Sequence, residues 1–568
     1  MTEKTRSLLF AKNVGKAEAV SLALYMILLA VIQSFHEPWF DETQAWQIAR
    51  SASLHDILFV IPHYEGHPPV WYLILAVFAK NGFPFEVTLK AINWLFCSGA
   101  MAVLLFRSPF PKAIRCLLPF TYECFYQYGV VSRPYCIFML MVFLAAIGYR
   151  ERNTHPWRYI LPLMGMCLAT AYGMLLAGGL CIVWTIEIVA EMIRAKKCST
   201  FWKDMRFWSL CSILALALCI VALVIPAEDV YFSGIEVNRM SLWAQFKEHF
   251  ERIFMVTFDT FIGATMTPSD VQWTTSNIYF GILGGSICWI ALLMIAKANR
   301  CMLQFLIPYG TYILFAVFGY FSYHHVGIGT LFLVFWSWTI LDSPEGACMP
   351  PLFGKIWERL DSAVVRCFVK VTGVVLCLIP VAYAVISSLY DIRLDYGPRA
   401  VADFIKEHHL EDTKIMVIWN HVQDRSELKD HPRIYNTTHI PGDHAPIVEH
   451  FPNIQGHSSM LSAYFDRNIF MNFNVNYPGD LYMHYCYAPD NDALFAQWVA
   501  QGLPDVLIGY CPIDEIYPPE MLEGVDYVVV ADLKASIIYK LSTADAGTCI
   551  YLRSDLLDEY PDLEQIYP

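Results

Sequence analysis

Charge is scarce in this chain: 16% of its 568 residues are Asp, Glu, Lys or Arg, where an ordinary globular protein has about 25%. No basic stripe stands apart from the loops, which argues against a nucleic-acid partner. No Cys-x-x-Cys pair occurs, so zinc-ribbon and thioredoxin-like readings fall away. Fourteen of the 17 cysteines are scattered singly along apolar segments, where a free thiol behaves as a small hydrophobe. The other three, Cys486, Cys511 and Cys549, are an odd number, and sequence cannot pair them. No Gly-rich phosphate loop follows the first strand expected in the C-terminal region, which disfavours a dinucleotide site. No internal repeat is visible of the kind from which many transporters are built.

What remains is apolar. Hydrophobic residues make up 56% and aromatics 15% of the chain, a polytopic membrane composition. The first apolar run, about 17–35, follows Lys4, Arg6, Lys12 and Lys16. It has no small-residue cleavage site and precedes further spans, so it is expected to stay as a signal-anchor helix. Further spans are expected near 86–106, 113–128, 132–149, 158–175, 176–193, 207–226, 277–296, 302–320, 324–341 and 366–388. The basic loops Arg150-Glu151-Arg152, Arg194 to Arg206, Lys297 to Arg300 and Lys355 to Lys370 fit one topology with all of them cytoplasmic. Loops 37–66 and 227–276 and everything after 389 then face outward. Parity leaves the short helix after His67, about 68–80, as a partial or re-entrant element. Residues 41–62 and 241–258 have amphipathic patterns expected to lie along the membrane surface.

Charge divides the chain in two. From residue 391 onward there are 28 acidic and 11 basic side chains, a balance of −17, while the remainder carries +4. Residues 1–390 are therefore expected to form a membrane domain and 391–568 a soluble extracytoplasmic α/β domain. That domain should have a helix over 398–409, a buried strand at 414–419, further strands near 468–473, 505–510, 525–531 and 536–541, and a helix near 491–501. Its histidines lack metal-ligand spacing and read as surface residues.

The densest polar constellation is Trp39-Phe40-Asp41-Glu42-Thr43-Gln44-Ala45-Trp46, followed by Tyr64-Glu65-Gly66-His67-Pro68-Pro69-Val70-Trp71-Tyr72. One carboxylate after a helix could simply cap the next. Asp41 and Glu42 together, with Glu37, Glu65 and His67 in the same loop, exceed what capping needs. Charge at the edge of hydrocarbon is costly and invites a functional reading. A partly desolvated carboxylate suits general-base work on a hydroxyl. Proline at a helix start fixes the entry angle and would hold His67 at the rim. Arg133 in Ser132-Arg133-Pro134-Tyr135, and His324-His325, map to outer helix ends, where cations could neutralise a phosphate leaving group. The bland alternatives are snorkelling and pairing within the bundle.

These stretches, with His324-His325-Val326-Gly327, together resemble a bacterial family of GT-C-fold membrane glycosyltransferases, similar to the protein O-mannosyltransferases and the lipid A aminoarabinose transferases. The resemblance covers the membrane part and, more loosely, 395–419. It implies a polytopic α-helical membrane protein of about 11–13 transmembrane helices with a C-terminal extracytoplasmic α/β domain, in the bacterial cytoplasmic (inner) membrane. It further implies that a sugar passes from a polyprenyl-phosphate-linked donor to a glycan, lipid or protein hydroxyl on the outer face, with inversion. Carried over, Asp41 is the general base, and Glu42 orients the acceptor or helps hold a metal. Glu65, His67, Arg133, Tyr135, His324 and His325 then bind substrate. No Asp-x-Asp accompanies the acidic pair in the first outer loop, so a divalent metal stays open. The competing reading is a transporter or flippase of a lipid-linked or anionic substrate; the polar cluster at the outer rim rather than mid-membrane favours the enzyme.

Overall fold

The computed structural model describes residues 14–196, 202–230, 241–266, 275–359, 363–418, 433–434, 447–486, 491–509, 513–545 and 547–566. Cys511 and, of the C-terminal histidines, His421, His431, His439 and His444 lie outside them, as does the side chain of His450. Cys486 carries a free thiol.

Among the described residues, seven helices are long and apolar enough to cross a membrane: Lys16–Phe35, Phe85–Arg107, Ala171–Arg194, Met205–Val224, Asn277–Ala298, Tyr323–Leu341 and the helix that runs on from Val371. Shorter apolar helices cover Val70–Ala79, Tyr135–Tyr149 and Met302–Phe318. Exposure sorts them. Only 17% of Met205–Val224 is buried, and Leu214, Leu218 and Trp208 point outward, as lipid-facing residues do. By contrast 72% of Tyr323–Leu341 is buried, so that helix is central. The helix after His67, Val70–Ala79, has ten residues. That is about 15 Å, half of a hydrocarbon core, in keeping with a partial element.

The expected span at 113–128 is not one helix. It divides into Lys112–Leu117, a 3₁₀ turn Leu118–Phe120 and a π-helix Glu123–Val130 whose eight residues are all buried. Pro119 brings no N–H and interrupts the ladder. A π-turn leaves carbonyls that hydrocarbon cannot satisfy, and neighbouring side chains do so instead. Tyr25 Oη donates to Cys124 O at 2.9 Å, while Gln33 Nε2 and Asn93 Nδ2 donate to Gly129 O at 2.9 and 2.6 Å. This collar fixes the chain just before Ser132-Arg133.

Residues 41–62 do not form one surface helix. Helix Phe40–Ser51 buries every residue from Glu42 to Ala49. It packs on Val70–Ala79 on one side and on Ile447–Ser462, a helix not expected from sequence, on the other. Gln44 Oε1 accepts from Met483 N at 2.9 Å and Ser459 Oγ at 2.8 Å, and Gln47 Nε2 donates to Ser462 Oγ at 2.8 Å. Leu54, Phe59 and Val60 in the following turns stay exposed as membrane-surface residues would.

Beyond Arg393 the sheet has strand order β1-β3-β7-β4-β2: β1 Ile415–Val417, β2 Arg433–Ile434, β3 Val506–Ile508, β4 Tyr527–Leu533 and β7 Thr548–Arg553. β1 and β3 are parallel with Met416 opposite Leu507, and the other pairings are antiparallel. The strand expected at 468–473 is absent from the sheet: Phe470 makes one isolated bridge to Ile415. Central β7 was not among the expected strands. A separate hairpin, β5 Ser536–Tyr539 and β6 Ser542–Asp545, turns at Lys540 with φ +50° and enters the membrane bundle. Lys540 is 2% exposed and donates to the carbonyls of Asp259 and Gly263 at 3.2 and 2.7 Å, and Ser387 Oγ donates to the Lys540 carbonyl at 3.0 Å.

Candidate active site

Adjacent residues on a helix point about 100° apart, and that rotation separates Asp41 from Glu42. Trp39 caps the Phe40–Ser51 helix. Glu42, the third helical residue, turns back so that its Oε2 accepts from Trp39 N at 2.8 Å. Its Oε1 accepts from Ser132 N at 2.6 Å, and Oε2 also meets His36 Nε2 at 3.0 Å. Glu42 is fully buried and does not line the cavity into which Asp41 projects. The sequence pair is thus one cavity carboxylate and one structural carboxylate.

The cavity, about 260 Å³, opens where the first outer loop meets the helix ends. Asp41, Glu65, His67, Arg133, His324 and His325 all line it. Arg133 Nη1 lies 2.9 Å from Asp41 Oδ2. Glu65 Oε1 accepts from Gln44 Nε2 at 2.8 Å, and Gly66, at φ +66°, turns the chain so that Glu65 and His67 reach the same space. The Nδ1 of His67 is buried without a hydrogen-bond partner. Tyr135 stands behind the wall rather than in it. Its ring packs 5.1 Å from the Arg133 guanidinium and stacks on Tyr128 at 4.8 Å.

Electrostatically the site holds one fixed cation. Burial opposes the charge of Arg133, and the Asp41 carboxylate overrides it and holds the guanidinium ionised. Burial, reinforced by the charge of Asp41 and only partly offset by Gln44, pushes Glu65 up to about 8, so it is a neutral acid at pH 7. Burial and the nearby Arg133 push His67 below the ordinary histidine range, leaving a neutral ring. The expectation of cationic His325 also needs correction. Its Nδ1 faces Ser322 N at 2.9 Å, and a nitrogen that accepts a backbone N–H carries no proton. His325 is thus a neutral ring with Nε2–H as donor. The His324 ring lies 4.1 Å from it, centroid to centroid.

Several lining residues had no sequence signal strong enough to select them. Tyr172, whose ring lies 4.2 Å from His325, Tyr320 and Phe318 are aromatic residues among many. Tyr485 and Val230 come from the C-terminal region and the second outer loop, joined by a bridge between Val230 and Cys486. His36 and Asp391 sit behind Glu42, with His36 Nδ1 3.0 Å from Asp391 Oδ2. His36 lies beside the acidic stretch and is the one that proximity could have flagged. Among the described residues no group of three or more His, Cys, Asp or Glu side chains converges as metal ligands do. Asp41, Glu65 and His67 share the wall without forming such a set.

No protein-family model matches the chain, and no curated protein matches it. Among solved structures the chain is similar to the arabinofuranosyltransferase AftD from mycobacteria, determined by single-particle cryo-electron microscopy. The match has 13% identity and a TM-score of 0.33 over 96% of this chain and 40% of that one. The chain therefore spans about 40% of that protein's length. A likeness of this size assigns neither substrate nor residue roles.

Proposed function

We propose that the chain is a GT-C-like membrane glycosyltransferase that moves a sugar from a polyprenyl-phosphate-linked donor to an acceptor hydroxyl at the outer face, with inversion. The observation that carries the reading is the pairing of half-exposed Asp41 with buried Arg133 in a cavity that also holds neutral Glu65 and the rings of His67, His324 and His325. Such a site offers a base, an anion holder and neutral hydrogen-bond donors within one small space.

In the proposed reaction Asp41 takes the proton from the acceptor hydroxyl. The acceptor oxygen attacks the anomeric carbon from the face opposite the phosphate. The bond from that carbon to the phosphate oxygen breaks, and its electron pair leaves with the lipid phosphate. Arg133 balances the growing charge, and Nε2–H of His325 supplies a further donor. In the resting site the Asp41 carboxylate is engaged by Arg133. A phosphate that takes Arg133 from Asp41 therefore frees the base only when the donor is bound. Glu65, protonated, donates a hydrogen bond to a sugar or acceptor oxygen.

A lipid-linked donor is further supported by a second cavity of about 670 Å³ between membrane helices, lined by residues such as Ile114, Leu117, Leu292, Leu333 and Leu376. Glu123 lines that cavity and His324 lines the first. Between them Tyr128 donates its hydroxyl hydrogen bond to His324 O at 2.9 Å. In the same proposal residues 1–390 are the catalytic membrane part, 391–568 lie outside the cytoplasm, and the membrane is the bacterial inner one. The decisive experiment supplies purified protein with a labelled polyprenyl-phosphate sugar and candidate acceptors and measures release of lipid phosphate. Release that depends on acceptor and on Asp41 is expected. Export of intact donor across vesicles without bond cleavage would favour the flippase reading instead.

A further inference from the structure

The His36 ring is fully buried, and both of its nitrogens face carboxylates: Nε2 lies 3.0 Å from Glu42 Oε2 and Nδ1 3.0 Å from Asp391 Oδ2. A neutral imidazole has one N–H and can serve only one of them, so the arrangement fits the doubly protonated ring. Glu42 in turn accepts from the amides of Trp39 and Ser132. Trp39 caps the helix that carries Asp41, and Ser132 immediately precedes Arg133. Asp391 stands near the end of the last membrane helix, just before Tyr396 and Gly397, whose amides donate to Glu37 Oε2 at 2.8 and 3.0 Å. His36 is therefore where the first membrane helix, the catalytic loop and the root of the C-terminal region meet.

We propose that His36 is a positioning residue for the transfer site. As an imidazolium shared by Glu42 and Asp391, it fixes Glu42 and thereby the separation of Asp41 and Arg133. Because Asp391 belongs to the root of the C-terminal region, the setting of the two active groups depends on how that region is seated. Burial alone would strip the ring of its proton, but Asp391 and Glu42 outweigh it and raise His36 to about 10. Around the ring, Glu42 and Asp391 face its nitrogens. Lys90 Nζ and Arg399 Nη2 donate to its carbonyl at 2.6 and 3.1 Å, Glu37 is its chain neighbour, and Tyr126 lies beside Asp391.

The positioning role rests on the transferase reading above; the protonation state does not, and the two are tested separately. The full chain is labelled with ¹⁵N-histidine in detergent, and the His36 signals are identified by their loss in His36→Gln. The ring is expected to stay doubly protonated at about pH 8.5, well above the ordinary histidine value of about 6.5. In Asp391→Asn its titration should move down by at least about one pH unit. A neutral His36 ring in the unmodified chain at that pH overturns the proposal whether or not transfer is observed. In the kinetic arm, His36→Gln and Asp391→Asn should lower kcat about tenfold or more with donor KM within about twofold, because neither residue touches the cavity. Asp391→Asn carries this arm if His36→Gln does not fold. Unchanged kcat in a variant with an unaltered melting profile, or a loss confined to KM, overturns the positioning role.

Discussion

Asp41 and Arg133 form an ion pair of unequal members: Nη1 stands 2.9 Å from Oδ2, with the arginine side chain 6% exposed and the aspartate 41%. The buried partner is fixed by its surroundings, and the exposed one is free to change partner. Asp41→Asn keeps the shape and removes the basic oxygen. Turnover should fall by about 10² to 10⁴, the range that a positioned general base supplies. The protein should stay folded, with a stability loss of about 1–2 kcal/mol because half-exposed pairs are screened. Single-turnover transfer and a melting curve on the same preparation check both numbers. Full activity in Asp41→Asn would remove this residue as the base.

Arg133 is the fixed cation, so its replacements should separate charge from geometry. Arg133→Lys retains the charge but loses the planar fork that matches a phosphate. Arg133→Gln loses both and leaves Asp41 unpaired. Transfer should drop about tenfold in the first and about 10³-fold in the second. Inhibition by lipid phosphate should weaken in the same order, measured as the product concentration that halves the rate. Equal losses in both variants would mean that the side chain acts only through packing.

Glu65 provides a pH signature. Its ionisation lies at about 8, above the ordinary carboxylate range, because of burial first and the charge of Asp41 second. The folded chain thus holds a proton between about pH 4.5 and 8 that the unfolded chain has lost. Stability that depends on this group therefore falls as pH rises through that window, and the hydrogen bond from the protonated acid is lost above it. Activity should decline above about pH 8. Glu65→Gln cannot ionise and should flatten that alkaline limb while raising the melting temperature at high pH. A pH–rate profile that keeps its limb in Glu65→Gln would assign the limb to another group.

Six expected site residues from four separate stretches meet in one cavity because each lies near a helix end on the same face of the bundle, and the spacing of apolar runs and basic loops had grouped them on one side. Most long spans were legible as apolar runs between charges, but the expected pair 158–175 and 176–193 divides earlier, into Trp157–Ala169 and Ala171–Arg194 around Thr170. The segment 113–128 was not legible, since apolar composition cannot distinguish a straight span from a π-helix whose carbonyls are held by Tyr25, Gln33 and Asn93. Glu42 looked like the twin of Asp41 in the linear sequence, but helical rotation put it in the core against His36. The role of His36 needed Asp391, 355 positions away, which no local pattern connects to it. Likewise β7 is central only because of where β3 and β4 lie.

The hairpin of β5 and β6 shows the same limit and allows a test of how the C-terminal region is held. Lys540 is buried among membrane helices within electrostatic reach of Glu123, donating to two carbonyls and lying 5.4–5.7 Å from the rings of Tyr122, Tyr383 and Tyr539. Lys540→Ala would leave the Asp259 and Gly263 carbonyls without this donor and empty the volume of the side chain. Each buried acceptor left unmade costs about 1–3 kcal/mol, so the loss should be about 2–5 kcal/mol. Lys540→Met restores volume without the donor and should recover only part of it. Limited proteolysis should then cut the region beyond Arg393 sooner in Lys540→Ala than in Lys540→Met, and sooner in both than in the unaltered chain. If the three were cut at one rate, the hairpin would be a passenger rather than an anchor, and the seat would rest on contacts such as those of Gln44, Gln47, Glu37 and Arg399.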